Sequence, residues 1–119
     1  MKSLVATLLA SLVLAPMFTV PALAQSKIAT LDRGQYVCEL PGSAASHAGI
    51  AQPEENFRIE SASQYSAPEG DGTYLRRGDR VVMTSGPRNG VVYVLVGRNF
   101  LRKIEGGEPG RLRCIRQSR

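Results

Sequence analysis

The sequence predicts an all-β protein, a small antiparallel barrel or sandwich of six or seven strands closed by one disulfide. Three observations carry that expectation. Apolar residues recur with a period of two rather than 3.6. Gly, Pro, Asn and Asp gather between the short apolar runs, where hairpin turns need them. The two cysteines, Cys38 and Cys114, lie near the ends of the region that would fold.

The first 24 of the 119 residues have a different character. Lys2 precedes an apolar run from Leu4 to Val20, interrupted by Pro16, and Pro21 leads into Ala22-Leu23-Ala24. A positive start, an apolar centre and an A-x-A site are the pattern of a secretory signal peptide. Cleavage is expected after Ala24, and the expected destination is the periplasm or the medium. Residues 25–119 then make one small domain with no room for a second fold. Its apolar runs are too short to span a membrane as a helix.

Residues 25–33 read as a loose lead-in, and residues 34–119 as the single β domain. Tyr36, Cys38 and Leu40 alternate with Gln35, Val37 and Glu39. Residues 41–56 read as a surface loop, with Pro53-Glu54-Glu55 leading into a strand at Phe57 and Ile59. Thr73–Arg77 and Arg80–Thr84 flank Gly78-Asp79, which suits a two-residue hairpin with Gly at the first central position. Gly86-Pro87-Arg88-Asn89-Gly90 is a longer loop. Val91 to Val96 is apolar throughout, which predicts a strand covered on both faces or one side of an interface. Turns are expected next at Gly97-Arg98-Asn99 and Gly106–Gly110, before Leu112 and Cys114 alternate with Arg111 and Arg113.

An exported chain meets an oxidising compartment, so Cys38 and Cys114 are expected to pair. The bond would close a loop of 77 residues counted inclusively, which chain entropy makes worth about 4 kcal/mol. A domain with so small a core gains much from such a staple.

Charge divides along the chain. Residues 25–74 carry a formal −4 and residues 75–119 a formal +8. Arg76, Arg77, Arg80, Arg98, Arg102, Lys103, Arg111, Arg113 and Arg116 belong to the basic half. One expectation is an anionic partner, such as an acidic glycan, lipopolysaccharide or a membrane surface. Arg102, Lys103, Arg111 and Arg113 are its first candidates. The other expectation is a solvated face partly neutralised by the acidic half folding against it. Nucleic acid is not expected, because aromatics for base stacking are not interleaved with the cations.

No catalytic, cofactor-binding or metal-binding residues are assigned. His47 is the sole histidine and sits in a predicted loop without a nucleophile elbow around it. Glu54-Glu55 could be a carboxylate pair, but neighbours on an extended segment point opposite ways.

Gly34-Gln35-Tyr36-Val37-Cys38, Phe57-Arg58-Ile59, Tyr65, Gly70-Asp71-Gly72-Thr73-Tyr74, Thr84-Ser85-Gly86-Pro87 and Cys114 occur in that order. This resembles a loose group of small exported bacterial proteins with no assigned activity. The resemblance implies a disulfide-closed β domain. Tyr36-Val37-Cys38, Ser85-Gly86 with Tyr93 after them, and Phe100 with Lys103 also resemble the inhibitors of c-type lysozyme. That likeness implies that Ser85 and Lys103 would enter the lysozyme cleft, although Phe100 stands where Trp is usual.

Overall fold

The computed structural model describes residues 28–43 and 48–117, with the isolated positions Val13, Leu14 and Pro16. The rest of the expected signal peptide, its cleavage site and His47 lie outside the described residues. The described strands are β1 (Ile28–Ala29), β2 (Gly34–Leu40), β3 (Ile50–Ala51), β4 (Phe57–Ile59) and β5 (Gln64–Ala67). They continue as β6 (Gly70–Arg77), β7 (Arg80–Met83), β8 (Val92–Gly97), β9 (Phe100–Glu105) and β10 (Glu108–Arg116). A 3-10 turn, Pro53–Glu55, precedes β4.

The hydrogen-bonded order β6-β5-β4-β2-β10-β9-β8-β7 returns to β6, so eight antiparallel strands close a barrel. β6 makes closure possible by serving three neighbours. Gly70–Thr73 pairs with β5, Tyr74–Arg77 pairs with β7, and β1 takes the edge of Arg76 and Arg77 that β5 has left.

The expected β class stands, and the expected count of six or seven strands is corrected to ten among the described residues, eight of them in the closed wall. Two strands escape the alternation pattern for a physical reason. β5 turns only Tyr65 fully into the core. β9 keeps Leu101 inside and Arg102 outside but places Lys103 on the inward face and Phe100 outside, which blurs the usual alternation. β1 and β3 are two-residue additions, in stretches expected to be lead-in and loop. Residues 28–33 are also not loose, because Leu31 is buried and its N–H donates to the Tyr74 hydroxyl at 3.2 Å. Glu108-Pro109-Gly110, expected in a turn, opens β10 ahead of a register shift against β9. The Gly78-Asp79 hairpin is present, with Gly78 at φ 55° as such a turn requires.

An eight-stranded barrel is just wide enough for side chains to fill its interior. Tyr36, Cys38, Phe57, Ile59, Tyr65, Tyr74, Val81, Met83, Tyr93, Leu101, Leu112 and Cys114 fill this one. Tyr36 stacks on Phe57 at 5.1 Å between ring centroids, and Phe57 tilts against Tyr93 at 5.3 Å. Cys38 and Cys114 are direct register partners on β2 and β10 and form a buried disulfide.

Candidate functional site

Arginines gather at one barrel mouth and along the outer wall, while Arg76, Arg98 and Arg116 bond to residues 30–33 ahead of β2. The mouth is built around Arg88, which lies in the β7–β8 loop and is 7% exposed. Its Nε donates to Glu69 at 2.6 Å. One Nη1 bond runs to the Glu55 carbonyl at 2.7 Å and another to the Tyr93 hydroxyl at 3.4 Å. Nη2 donates to the Glu54 and Asn56 carbonyls at 2.9 and 2.8 Å. A guanidinium has five N–H donors, and all five are engaged. Its carbon also stands 5.7 Å from the centroid of the Phe57 ring, within cation–π range.

Burial opposes the Arg88 charge, but the bond to Glu69 and the neighbouring Tyr93 outweigh it and raise the pKa above its ordinary value. Burial also pushes the Tyr93 phenol up to about 12, with Arg88 pulling the other way. Arg88 therefore seals the mouth as a cation, satisfying the carbonyls of the 3-10 turn that lead into β4.

The loop that carries Arg88 is locked from below. The Tyr65 hydroxyl donates to the Ser85 carbonyl at 2.8 Å and accepts the Arg88 N–H at 3.1 Å. Ser85 Oγ accepts the Thr73 N–H at 3.0 Å and lies 2.7 Å from Thr73 Oγ1. Gly72 is where these parts converge, and a Cβ there would overlap the Ser85 carbonyl oxygen. The Tyr65, Gly-Thr and Thr-Ser-Gly-Pro motifs thus hold a single loop.

Beside this seal is a groove of about 320 Å³, lined by Glu54, Glu55, Glu69, Pro87, Arg88, Val91, Tyr93 and Lys103. Lys103 is opposite Tyr93 in register, so it turns into the mouth, and its Nζ meets both carboxylate oxygens of Glu55 at 3.3 Å. The two sequence-predicted inhibitor residues, Ser85 and Lys103, belong to this end of the barrel. Each spends its polar atoms on the protein itself.

On the outer wall, register places Arg77 opposite Arg80, Arg80 opposite Val94, Val94 opposite Arg102, Arg102 opposite Arg113, and Arg113 opposite Glu39. Directly opposed residues share a face. Of the four sequence-predicted anion contacts, Arg102 and Arg113 are therefore neighbours and Lys103 lies on the other face. Arg111 is exposed two residues before Arg113 on the same outward side of β10. Arg102 donates from Nε and Nη2 to the Gly110 carbonyl, and Arg113 donates to Glu39 at 2.9 Å. Among the described residues, no ion pair engages Arg77, Arg80 or Arg111.

Ion pairs explain part of the charge split. Glu69–Arg88, Asp32–Arg98, Glu55–Lys103 and Glu39–Arg113 each join the acidic half to the basic half. The neutralising contact between halves is thereby present at four points. Arg88 is the important residue that sequence reasoning passes over. Nothing in Pro87-Arg88-Asn89 marks the side chain as buried.

The molecule is thus a closed, disulfide-stapled antiparallel barrel with one sealed mouth. No family model, curated protein or solved structure matches the chain.

Proposed function

We propose that this is an exported β-barrel, periplasmic or secreted after cleavage behind Ala24, whose role is binding rather than catalysis. Its partner is an anionic component of the cell envelope, met through the arginines of the outer wall. The observation that carries this reading is the register row Arg77, Arg80, Arg102 and Arg113. Like charges directly opposite one another destabilise a sheet. Two such pairs occur here, Arg77 with Arg80 and Arg102 with Arg113. An anionic surface turns that repulsion into attraction and speeds encounter. The buried disulfide suits an oxidising compartment outside the cytoplasm.

Retention on immobilised heparin tests the reading. The triple variant Arg80→Gln, Arg102→Gln, Arg113→Gln should elute at clearly lower salt than the native chain. Arg58→Gln on β4, outside the row, should elute close to the native chain. Equal elution of native and triple variant would remove the outer wall as the binding surface.

A second reading, inhibition of c-type lysozyme, draws on one observation. Lys103 turns into the same mouth that the Pro87–Arg88 loop borders. On that reading Lys103 leaves Glu55 for the lysozyme cleft. Titration of a hen-type lysozyme with micromolar protein should then inhibit it, with inhibition lost in Lys103→Ala. Unchanged lysozyme activity disposes of it.

A further inference from the structure

The outer face of β8 is apolar without a core to explain it. Tyr93 and Leu95 turn inward and pack in or against the core, but Val92, Val94 and Val96 alternate with them and turn out. Their neighbours are also apolar. Val82 is opposite Val92, on one side of the arginine row. On the other side Phe100 is opposite Ile115, which is opposite Val37, with Val96 close by on β8. Val96 is 50% exposed and Ile115 38%. Among the described residues, β8 pairs with β7 and β9, and its outer valines face outward from a single sheet. The arginine row therefore lies between two sides of the wall, one with Val82, Val92 and the exposed Arg111, the other with Val96, Phe100, Ile115 and Val37.

We infer that this wall docks on the headgroup–acyl boundary of an anionic bilayer. The inference rests on the anionic-partner reading and names its chemistry. Apolar side chains turned outward on both sides of a cationic row suit an interaction site better than scattered single ones do. Arginine stems lie along apolar surface while their heads reach out to anions, and anionic leaflets attract such residues. A soluble acidic glycan would leave Val92, Val94, Val96 and Phe100 without partners. A second copy of the chain, docked wall to wall, would bring one arginine row against another. An anionic bilayer satisfies both features together.

The chain contains no Trp, so a single indole reports its own surroundings. Phe100→Trp places one on the proposed wall. Gln64→Trp places one on the exposed face of β5, which lies across the ring of eight from β9. With vesicles of phosphatidylglycerol in phosphatidylcholine, emission from position 100 should shift to the blue and be quenched by nitroxide-labelled acyl chains. Position 64 should do neither, and heparin should shift neither. Val94→Ser with Val96→Ser should weaken vesicle binding about tenfold through lost apolar burial, with heparin retention kept as proof of a folded barrel. If heparin binds but position 100 stays water-exposed on the anionic vesicles, the bilayer inference falls and the anionic-partner reading survives. An equal shift on pure phosphatidylcholine, or equal behaviour at positions 64 and 100, also overturns the inference. If neither heparin nor vesicles bind, the anionic-partner reading itself fails.

Discussion

Arg80 opens β7 and Arg88 sits in the loop after it, yet the two guanidiniums have opposite fates. Arg88 is 7% exposed and spends every donor on Glu69, Tyr93 and three backbone carbonyls. Arg80 is exposed on the outer wall, and among the described residues no ion pair engages it. The difference shows how to divide a basic half of a sequence. Cations whose donors are all consumed hold the barrel, and cations with donors to spare are available to a partner. A formal charge count mixes the two.

The widest separation between the mouth and the wall should appear in stability. Arg88→Ala removes five bonds and leaves three carbonyls and Glu69 without their partner. It should cost about 4 kcal/mol, the scale for breaking a buried charge-assisted network. Arg80→Gln should change stability by no more than about 0.5 kcal/mol, as surface substitutions do, and should lower heparin retention instead. Urea unfolding of both variants beside the native chain reads the contrast directly. Equal costs would erase the distinction between spent and free cations.

Burial also gives the barrel a pH signature in which the mouth takes part. The Tyr93 phenol is held up at about 12 by burial, whereas an unfolded tyrosine ionises near 10. Between those values the unfolded chain has released a proton that the folded chain keeps. The stability from Tyr93 is therefore complete below about pH 10, falls as pH rises, and is gone above the folded value. Its size is up to about 3 kcal/mol. Tyr36, also raised to about 12 by burial, adds to the same fall. Denaturant unfolding at stepped pH should show stability declining from about pH 10, together with delayed phenolate absorbance. Phenolate absorbance that rises fully near pH 10 without unfolding would contradict a sealed mouth.

A smaller effect should come from the lock beneath Arg88. Gly72→Ala brings a Cβ against the Ser85 carbonyl and within 2.7 Å of the Tyr65 hydroxyl, and neither neighbour can easily give way. The expected cost is about 2 kcal/mol, in the range of overpacking. Hydrogen exchange should show the loss concentrated at the Arg88 N–H and Thr73 N–H. A neutral substitution would mean that the loop is not held from below.

The parts of this molecule that are legible in the sequence are those written in local pattern. Tyr36 with Cys38 and Phe57 with Ile59 announce inward faces because they alternate, and Gly78-Asp79 announces a hairpin because only Gly takes its first position easily. The mouth is illegible for the opposite reason. Arg88 is buried by carbonyls of residues 54–56, more than thirty positions away, and a loop arginine is spelled the same way inside or outside. Lys103 misleads the strand pattern because a charge at an inward position looks like an outward one. The arginine row lies between these cases. Its members are visible, but bringing Arg80 and Arg113 into one line depends on registers across four strands, which no local pattern specifies.

The smallest expected effect gives the finest test of that division. Arg113 stands between the two classes, because it belongs to the outer row and yet donates to Glu39 at 2.9 Å. The pair is partly exposed, with side chains at 30% and 26%, so its contribution to stability should be at most about 1 kcal/mol. Glu39→Gln keeps the shape of the side chain and removes its charge. The barrel should lose about 0.5 kcal/mol or less, while Arg113 becomes free to meet an anion. Heparin retention should therefore rise as stability falls slightly. A fall in both would place Arg113 with Arg88, among the cations that hold the fold. A rise in retention places it with Arg80, and shows that Glu39 competes for the same guanidinium that an external anion would take.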